Sequence, residues 1–119
     1  MAVKHSLEND RAVMNMWGYV FMNVQMLRTA LDTWRPDFPD GNKRLALVGD
    51  KVLALIFDLD GYSRNDTRVL NPSQSSVSND IMATTVEALV GAIYLDSGNL
   101  EVVKAAMIEF GIMQAETEV

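Results

Sequence analysis

An apolar segment with helical periodicity covers residues 42–60 of this 119-residue chain and reads NKRLALVGDKVLALIFDLD. A glycine follows it, and the spacing predicts one amphipathic helix. Its apolar face is predicted to consist of Leu45, Val48, Val52, Leu55, Ile56 and Leu59. Asp50 stands within this apolar run. Because a buried carboxylate is costly unless it is paired, hydrogen-bonded or bound to a metal, Asp50 requires a partner.

Four more helices are predicted from capping residues and apolar spacing. Their predicted ranges are 9–17, 24–34, 81–96 and 100–110. The residues expected to cap their starts are Asn9 or Asp10, Asn23, Asn79 or Asp80, and Asn99. Gly18 and Gly111 are expected to end the first and last of them. No alternating apolar pattern indicates a strand, so we expect an all-α fold.

The chain is expected to fold as a single domain over residues 1–119, because this length suffices for one core and not for two. Polar residues rich in Ser and Asn predict a loop over residues 62–80. Residues 112–119 are predicted to form a loose tail. Gly91, within the helix predicted over 81–96, is expected to allow the backbone of a neighbouring helix to approach closely.

The charge balance of the chain is acidic, with a net charge of −6 and an isoelectric point of about 4.6. Binding to a phosphate backbone depends on Lys and Arg, so this balance disfavours nucleic acid as a ligand. The absence of cysteine excludes disulfides and thiolate metal sites. No apolar run is long enough to span a bilayer, and the N-terminus lacks the apolar core of a signal peptide. We therefore expect no membrane partner and a soluble intracellular protein.

The helix predicted over residues 81–96 also carries an acid, Glu87, within an apolar run. If the two acid-bearing helices pack together, Asp50 and Glu87 meet, and they repel each other unless one is protonated or a cation lies between them. Oxygen ligands favour a hard divalent ion such as Mg²⁺. The residues alone leave two interpretations open, a Mg²⁺ site and a pair of acids held by structural hydrogen bonds.

Three stretches of the chain resemble motifs of the ribonuclease III domain family, and they occur in the family's order. They are GYVFMNVQMLRTAL, NKRLALVGDKVLAL and TTVEALVGAIYLDSG. The resemblance is closest to short ribonuclease III-domain proteins of filamentous fungi, and it rests on the segments PDGNKRLALVGD, LNPSQ and MATTVEAL. The resemblance implies an all-α, ribonuclease III-like helical domain that dimerises and cleaves double-stranded RNA with Mg²⁺ held by four acids.

Asp50 and Glu87 match two of the family's four core acids. The other two fall at Ala46 and Thr84, and an outer glutamate of the family falls at Lys43. Alanine binds no metal and threonine offers only a neutral hydroxyl, so each change lowers the affinity for Mg²⁺. The resemblance therefore implies a degenerate active site, with Asp50 and Glu87 as the remaining catalytic acids and metal ligands.

Three functions stay open at this point. The first is a catalytically impaired protein, a pseudoenzyme of an RNA-processing family that acts as a dimeric binding or scaffold module. The second is an active Mg²⁺-dependent endoribonuclease that cleaves double-stranded RNA with Asp50 and Glu87 as its metal ligands. The third is a helical domain of unrelated role, because a fold does not determine a function. We expect the first, because two core acids are lost and the chain is acidic.

The resemblance also implies a homodimer. Family members have one or two more helices between the second and third motifs, so this chain is shortened in the middle. Missing helices leave apolar surface uncovered unless a second chain covers it. We expect the contact to involve the helix over residues 42–60, with or without an exchange of helices. The phenylalanine that enters the partner subunit in the family corresponds to Leu47 here.

A few other residues carry expectations of their own. Asp96 is expected to cap a turn, and Trp17 and Trp34 to fill the core or the dimer contact. Asp58 and Asp60 are expected to face solvent. His5, the single histidine, is expected to be inert near the N-terminus.

Overall fold

The computed structural model describes residues 6–32, 41–60 and 77–114. Within these ranges the chain forms five α-helices and no strand, which confirms the all-α fold class. The helices are α1 (Leu7–Trp17), α2 (Val24–Leu31), α3 (Lys43–Asp60), α4 (Val77–Ser97) and α5 (Leu100–Phe110). None of the helices in the described ranges combines the length and the apolar character needed to cross a membrane.

The starts of α2 and α5 are set by local capping, as their sequences predict. The predicted end of α2 at residue 34 is wrong, because the helix ends at Leu31 and Asp32 has extended backbone angles. The side chains of Asn23 and Asn99 accept hydrogen bonds from backbone amides in the first turns of α2 and α5. Gly18 and Gly111 end α1 and α5 in the left-handed conformation, with φ of 61° and 102°. These features depend on a few neighbouring residues, which is why the sequence alone predicts them.

The start of α1 differs from the prediction. The helix begins at Leu7, and the hydroxyl of Ser6 accepts a hydrogen bond of 3.1 Å from the backbone of Asn9. Asp10 is therefore inside the helix and does not cap it. Its side chain is buried, and Oδ2 accepts hydrogen bonds from Arg28 Nη2 at 2.8 Å and Nε at 3.2 Å. This ion pair connects α1 to α2, while Oδ1 of the same carboxylate has no hydrogen-bond partner.

Helix α4 forms the centre of the fold. It packs against α2, α3 and α5, and nearly every side of its second half is covered. Helix α1 packs against α5, where the rings of Trp17 and Phe110 stack with centroids 4.1 Å apart. This contact confirms a core position for Trp17. The largest fully buried apolar side chains are Trp17, Leu27, Leu53, Phe57, Val90, Ile93, Val103 and Met107.

Two further predicted boundaries, the start of α4 and the start of the tail, are also wrong. Helix α4 begins at Val77, inside the stretch predicted as a loop over residues 62–80, so neither Asn79 nor Asp80 is its cap. Polar residues such as these are tolerated in a first helical turn, where an aspartate is favoured by the helix dipole. The predicted tail begins too early, because Ile112 and Met113 are buried against the core.

Several predictions fall on residues outside the described ranges. They concern His5, Trp34, the region over residues 61–76 that includes the shortened middle, and residues 115–119.

Helix α3 is rotated slightly relative to its predicted apolar face. Three residues of that face are buried as predicted, namely Leu45, Val52 and Ile56. Leu55 and Leu59 are 45% and 69% exposed, which corrects their predicted burial, and Ala46, Leu53 and Phe57 are buried in addition. The rotation brings the glycine side of α3 against α4, as described below. It leaves three leucines on the outside of α3, which we call the outer leucines: Leu47, Leu55 and Leu59.

Candidate functional site

Two helices approach each other closely where α3 crosses α4. Gly49 of α3 lies against the carbonyl group of Glu87, and Gly91 of α4 lies against the carbonyl group of Leu45. A Cβ atom at either glycine would overlap backbone of the other helix. The close approach expected at Gly91 is confirmed. The sequence analysis does not predict the contact at Gly49. A small residue inside an apolar helical run is the sequence feature that indicates such a contact.

Asp50 and Glu87 belong to the turns that meet at this crossing. Asp50 directly follows Gly49, and the carbonyl of Glu87 is itself the point of contact. Both residues are half-buried, and each has an interaction partner within the protein. The crossing thus brings together the turn of α3 that carries Asp50 and the turn of α4 that carries Glu87. These are the two turns where the sequence places an acid within an apolar run.

Ala46 and Thr84, where the resemblance implies two further acids, lie one turn away from Asp50 and Glu87. Ala46 precedes Asp50 by four residues and Thr84 precedes Glu87 by three, so each pair shares a helix face. Ala46 is only 7% exposed, and Thr84 is half-buried with a partner in the protein. At these positions the chain offers a buried methyl group and a hydroxyl in place of two carboxylates.

The donor set does not fit a metal site made of protein carboxylates alone. Among the residues that the structure describes, no group of three or more His, Asp or Glu side chains is placed to hold a metal ion. Two carboxylates form a sufficient protein contribution to a Mg²⁺ site only where water and substrate phosphates complete the coordination.

Asn42 connects three elements beside these positions. Its side chain is buried, with 3% of the residue exposed, and Nδ2 donates to the carbonyl of Ala30 at 2.7 Å and to Oγ1 of Thr85 at 3.3 Å. The main-chain carbonyl of Asn42 accepts a hydrogen bond of 3.0 Å from the main-chain amide of Ala46. The sequence pattern indicates Asn42 only as the first residue of a helix, because its partners are distant in the chain.

The outer face of α3 carries exposed charges beside the outer leucines. Lys43, Arg44 and Lys51 are exposed and lie three or four residues from Leu47, so they share its side of the helix. Asp58 is also exposed, as predicted, and lies nearer the end of the same helix. This face therefore combines apolar, basic and acidic side chains.

Asp96 at the end of α4 connects that helix to the segment between α1 and α2. Its carboxylate accepts hydrogen bonds from the hydroxyl of Tyr19 at 2.6 Å and from the backbone amides of Met22 and Asn23 at 2.8 and 2.9 Å. The expected capping role is thus observed, with partners that are far away in sequence. Burial raises the pKa of Tyr19, and the bond to Asp96 raises it further. Burial also acts to raise the pKa of Asp96, but its three hydrogen bonds outweigh this effect and lower the pKa.

Comparison with known proteins gives one informative match. No protein-family model and no solved structure matches the chain. A ribonuclease 3 of Acinetobacter pittii (strain PHEA-2) is 25% identical over 146 residues, a match that covers 92% of this chain and 64% of that protein. The chain thus spans just under two thirds of the length of this relative.

The matched stretch of 146 residues is longer than the whole chain of 119, so the relative contains residues without a counterpart here. The match nevertheless extends over most of the chain, and the described residues have the expected all-helical architecture. Together these observations support a ribonuclease III-like family for this protein.

Proposed function

We propose that this chain is a ribonuclease III-like domain with a degenerate metal site, which acts in RNA processing as a dimeric binding or scaffold module. The observation that carries the proposal is the replacement at two of the four acid positions. A buried methyl group at Ala46 and a hydroxyl at Thr84 stand one turn from Asp50 and Glu87. A divalent ion at this crossing meets two carboxylates where the family offers four.

Charge supports the same proposal. Lys43 places a cation at the start of α3, two helical turns from Asp50, where the resemblance implies an outer glutamate. The whole chain carries a net charge of −6, which opposes binding to the phosphates of double-stranded RNA. Both features weaken attraction for a metal ion and for its nucleic-acid substrate.

The proposed partner is a second copy of this chain, bound through α3. The outer leucines form an exposed apolar strip, with Leu47 64% exposed. Burying such a strip is favourable, at about 25 cal/mol for each Å² of apolar surface removed from water. The exposed Lys51 and Asp58 lie on the same helix, and an antiparallel two-fold pairing of α3 about the point midway between them would place each lysine near the aspartate of the other copy.

A second candidate function is an active endoribonuclease with a reduced site. It is favoured by the position of Asp50 and Glu87 on the two turns that meet where α3 crosses α4. Mg²⁺ is often held by one or two carboxylates together with substrate phosphates. In this case Asp50 and Glu87 would hold Mg²⁺ only when double-stranded RNA is bound.

A cleavage assay tests these two functions against each other. End-labelled long double-stranded RNA is incubated with the protein in Mg²⁺ and in Mn²⁺, beside the Glu87→Ala variant. Glu101→Ala is the control, because it removes an exposed glutamate from α5, away from the crossing. We expect no products with either metal. Products that need a divalent ion and vanish only in Glu87→Ala would overturn the proposal and establish the nuclease.

A further inference from the structure

We propose that Asn42 is a positioning residue for the candidate site, which sets the turn of α4 that carries Thr84 against the turn of α3 that carries Ala46. The inference rests on the proposed function, because it concerns the same site. Asn42 itself contributes no charge and no metal ligand to the proposed site. Its role would be to determine how α3 and α4 face each other where the family places its acids.

The hydrogen bonds of Asn42 reach both sides of the site. The main-chain carbonyl of Asn42 accepts a hydrogen bond from the main-chain amide of Ala46, which joins Asn42 to the first turn of α3. Its carboxamide donates to Thr85, the residue directly after Thr84 on α4. The second hydrogen of the same amide binds the carbonyl of Ala30 in α2 at 2.7 Å. The side chain of Asn42 therefore joins the start of α3 to Thr85 on α4 and to Ala30 on α2, one residue from Thr84 and one helical turn before Ala46.

A contact outside the glycine crossing is needed to fix the angle between the two helices. Gly49 lies against Glu87 and Gly91 lies against Leu45, so both glycine contacts fall within one turn of each helix and set how closely α3 and α4 approach. The bond between Asn42 and Thr85 lies two helical turns from Gly49 along α3 and restricts rotation of α3 about that crossing.

The chemistry of this position favours asparagine. The amide group offers two N–H donors in a fixed plane, and here they meet a carbonyl and a hydroxyl. An ionised aspartate has the same shape but cannot donate either bond. Substitution of Asn42 by alanine would leave the buried carbonyl of Ala30 unpaired, so that variant is at risk of unfolding. Thr85 is the safer residue to change.

Distances between spin labels test this role without any metal. The chain has no cysteine, so the exposed Arg44 and Leu95 are changed to cysteine and labelled with nitroxides, one on α3 and one on α4. Labelled protein is diluted with unlabelled protein so that only distances within one chain are measured. Thr85→Val keeps the shape of the side chain and removes the hydroxyl, whereas Thr85→Ser keeps the hydroxyl.

We expect Thr85→Val to shift or broaden the distance distribution and Thr85→Ser to leave it unchanged. Val103→Ala, a core change on α5, is the control for a general loss of stability. The proposal is overturned if Thr85→Val leaves the distances unchanged, or if Val103→Ala changes them equally. The first result would mean that the glycine contact alone fixes the crossing.

Metal binding provides a second readout. In a chain carrying Ala46→Glu and Thr84→Asp, Thr85→Val should weaken Mn²⁺ binding by about 10-fold, in the range seen when an outer-shell partner is lost. Thr85→Ser should leave the affinity unchanged, and equal affinities in both variants would contradict a positioning role. Failure of the acid-restored chain to bind Mn²⁺ would instead contradict the family-like site of the proposed function, since the spin-label distances test Asn42 independently.

Discussion

The backbone of Gly49 lies against the carbonyl group of Glu87, so α3 and α4 approach closely at the turns that carry Asp50 and Glu87. No side chain separates the helices at this point. Asp50 and Glu87 lie in the two turns that make this contact, and both are half-buried. Ala46 and Thr84 lie one turn away from them on the same two helices. The close approach of α3 and α4 at the candidate site therefore depends on two glycines, Gly49 and Gly91.

Gly49→Ala should destabilise the protein, because the added methyl group overlaps the backbone of α4. We expect a loss of about 3 kcal/mol in the free energy of unfolding, at the upper end of what overpacking usually costs. Urea denaturation measures it. Gly98→Ala is the control, because Gly98 has a positive φ but nothing within 4 Å of an added Cβ. It should cost only about 1 kcal/mol, and equal losses in the two variants would contradict a steric contact at Gly49.

Ala46→Glu with Thr84→Asp should make stability depend on divalent ions. Without metal the variant should be less stable, because Ala46 is 7% exposed and the new carboxylates add to the charge of Asp50 and Glu87. Mn²⁺ should then stabilise the folded state, by about 2.7 kcal/mol at about 100 times its Kd. Thermal unfolding with and without Mn²⁺ measures the effect.

The matched control for the acid-restored chain is Ala46→Gln with Thr84→Asn, which has nearly the same shape without charge. It should show no response to Mn²⁺. A similar rise of the Tm in both variants would mean that the ion binds elsewhere on this acidic chain.

Leu47→Asp should weaken the proposed dimer without unfolding the chain, since Leu47 is exposed on α3. Sedimentation velocity at micromolar concentration should show a dimer for the unmodified protein and a monomer for the variant. Leu7→Asp is the control, because Leu7 is similarly exposed but lies on α1. A monomeric unmodified protein, or equal effects of both substitutions, would argue against an interface at the outer leucines.

Asp96 should make stability fall at acidic pH. Its pKa is lowered in the folded protein, so the folded state binds fewer protons there than the unfolded state does. The stability that its hydrogen bonds contribute is therefore complete above its ordinary pKa of about 4 and is lost as the pH falls below that value. Asp96→Asn should cost about 1 to 2 kcal/mol at neutral pH, because bonds to a charged acceptor are lost.

Urea unfolding of the unmodified chain and of Asp96→Asn between neutral and acidic pH measures this contribution. The difference between the two should shrink as the pH falls. Asp58→Asn, which changes an exposed acid on α3, should run parallel to the unmodified protein. If the two free energies of unfolding differed by the same amount at every pH, protonation of Asp96 would not be coupled to the loss of these hydrogen bonds.

Much of the candidate site follows from local spacing. Ala46 and Asp50 share one face of a helix, and Thr84 and Glu87 share a face of another, because residues three or four apart are neighbours on an α-helix. The sequence also predicts the close approach at Gly91, since a glycine in an apolar helix leaves room for a neighbouring backbone. The distance and rotation between the two helices are not predicted, because they depend on contacts between residues far apart in the chain.

The helical class follows from the sequence alone, and so do the helix ends at Asn23, Asn99, Gly18 and Gly111, because each cap is satisfied within a few residues. The buried side of α3, the hydrogen-bond donors of Asp96 and the contact of Asp10 with Arg28 follow only from the packing of the folded chain. These outcomes depend on packing among helices that are distant in sequence. A buried polar group takes whichever partner that packing brings within hydrogen-bond distance, and the order of residues along the chain does not specify it.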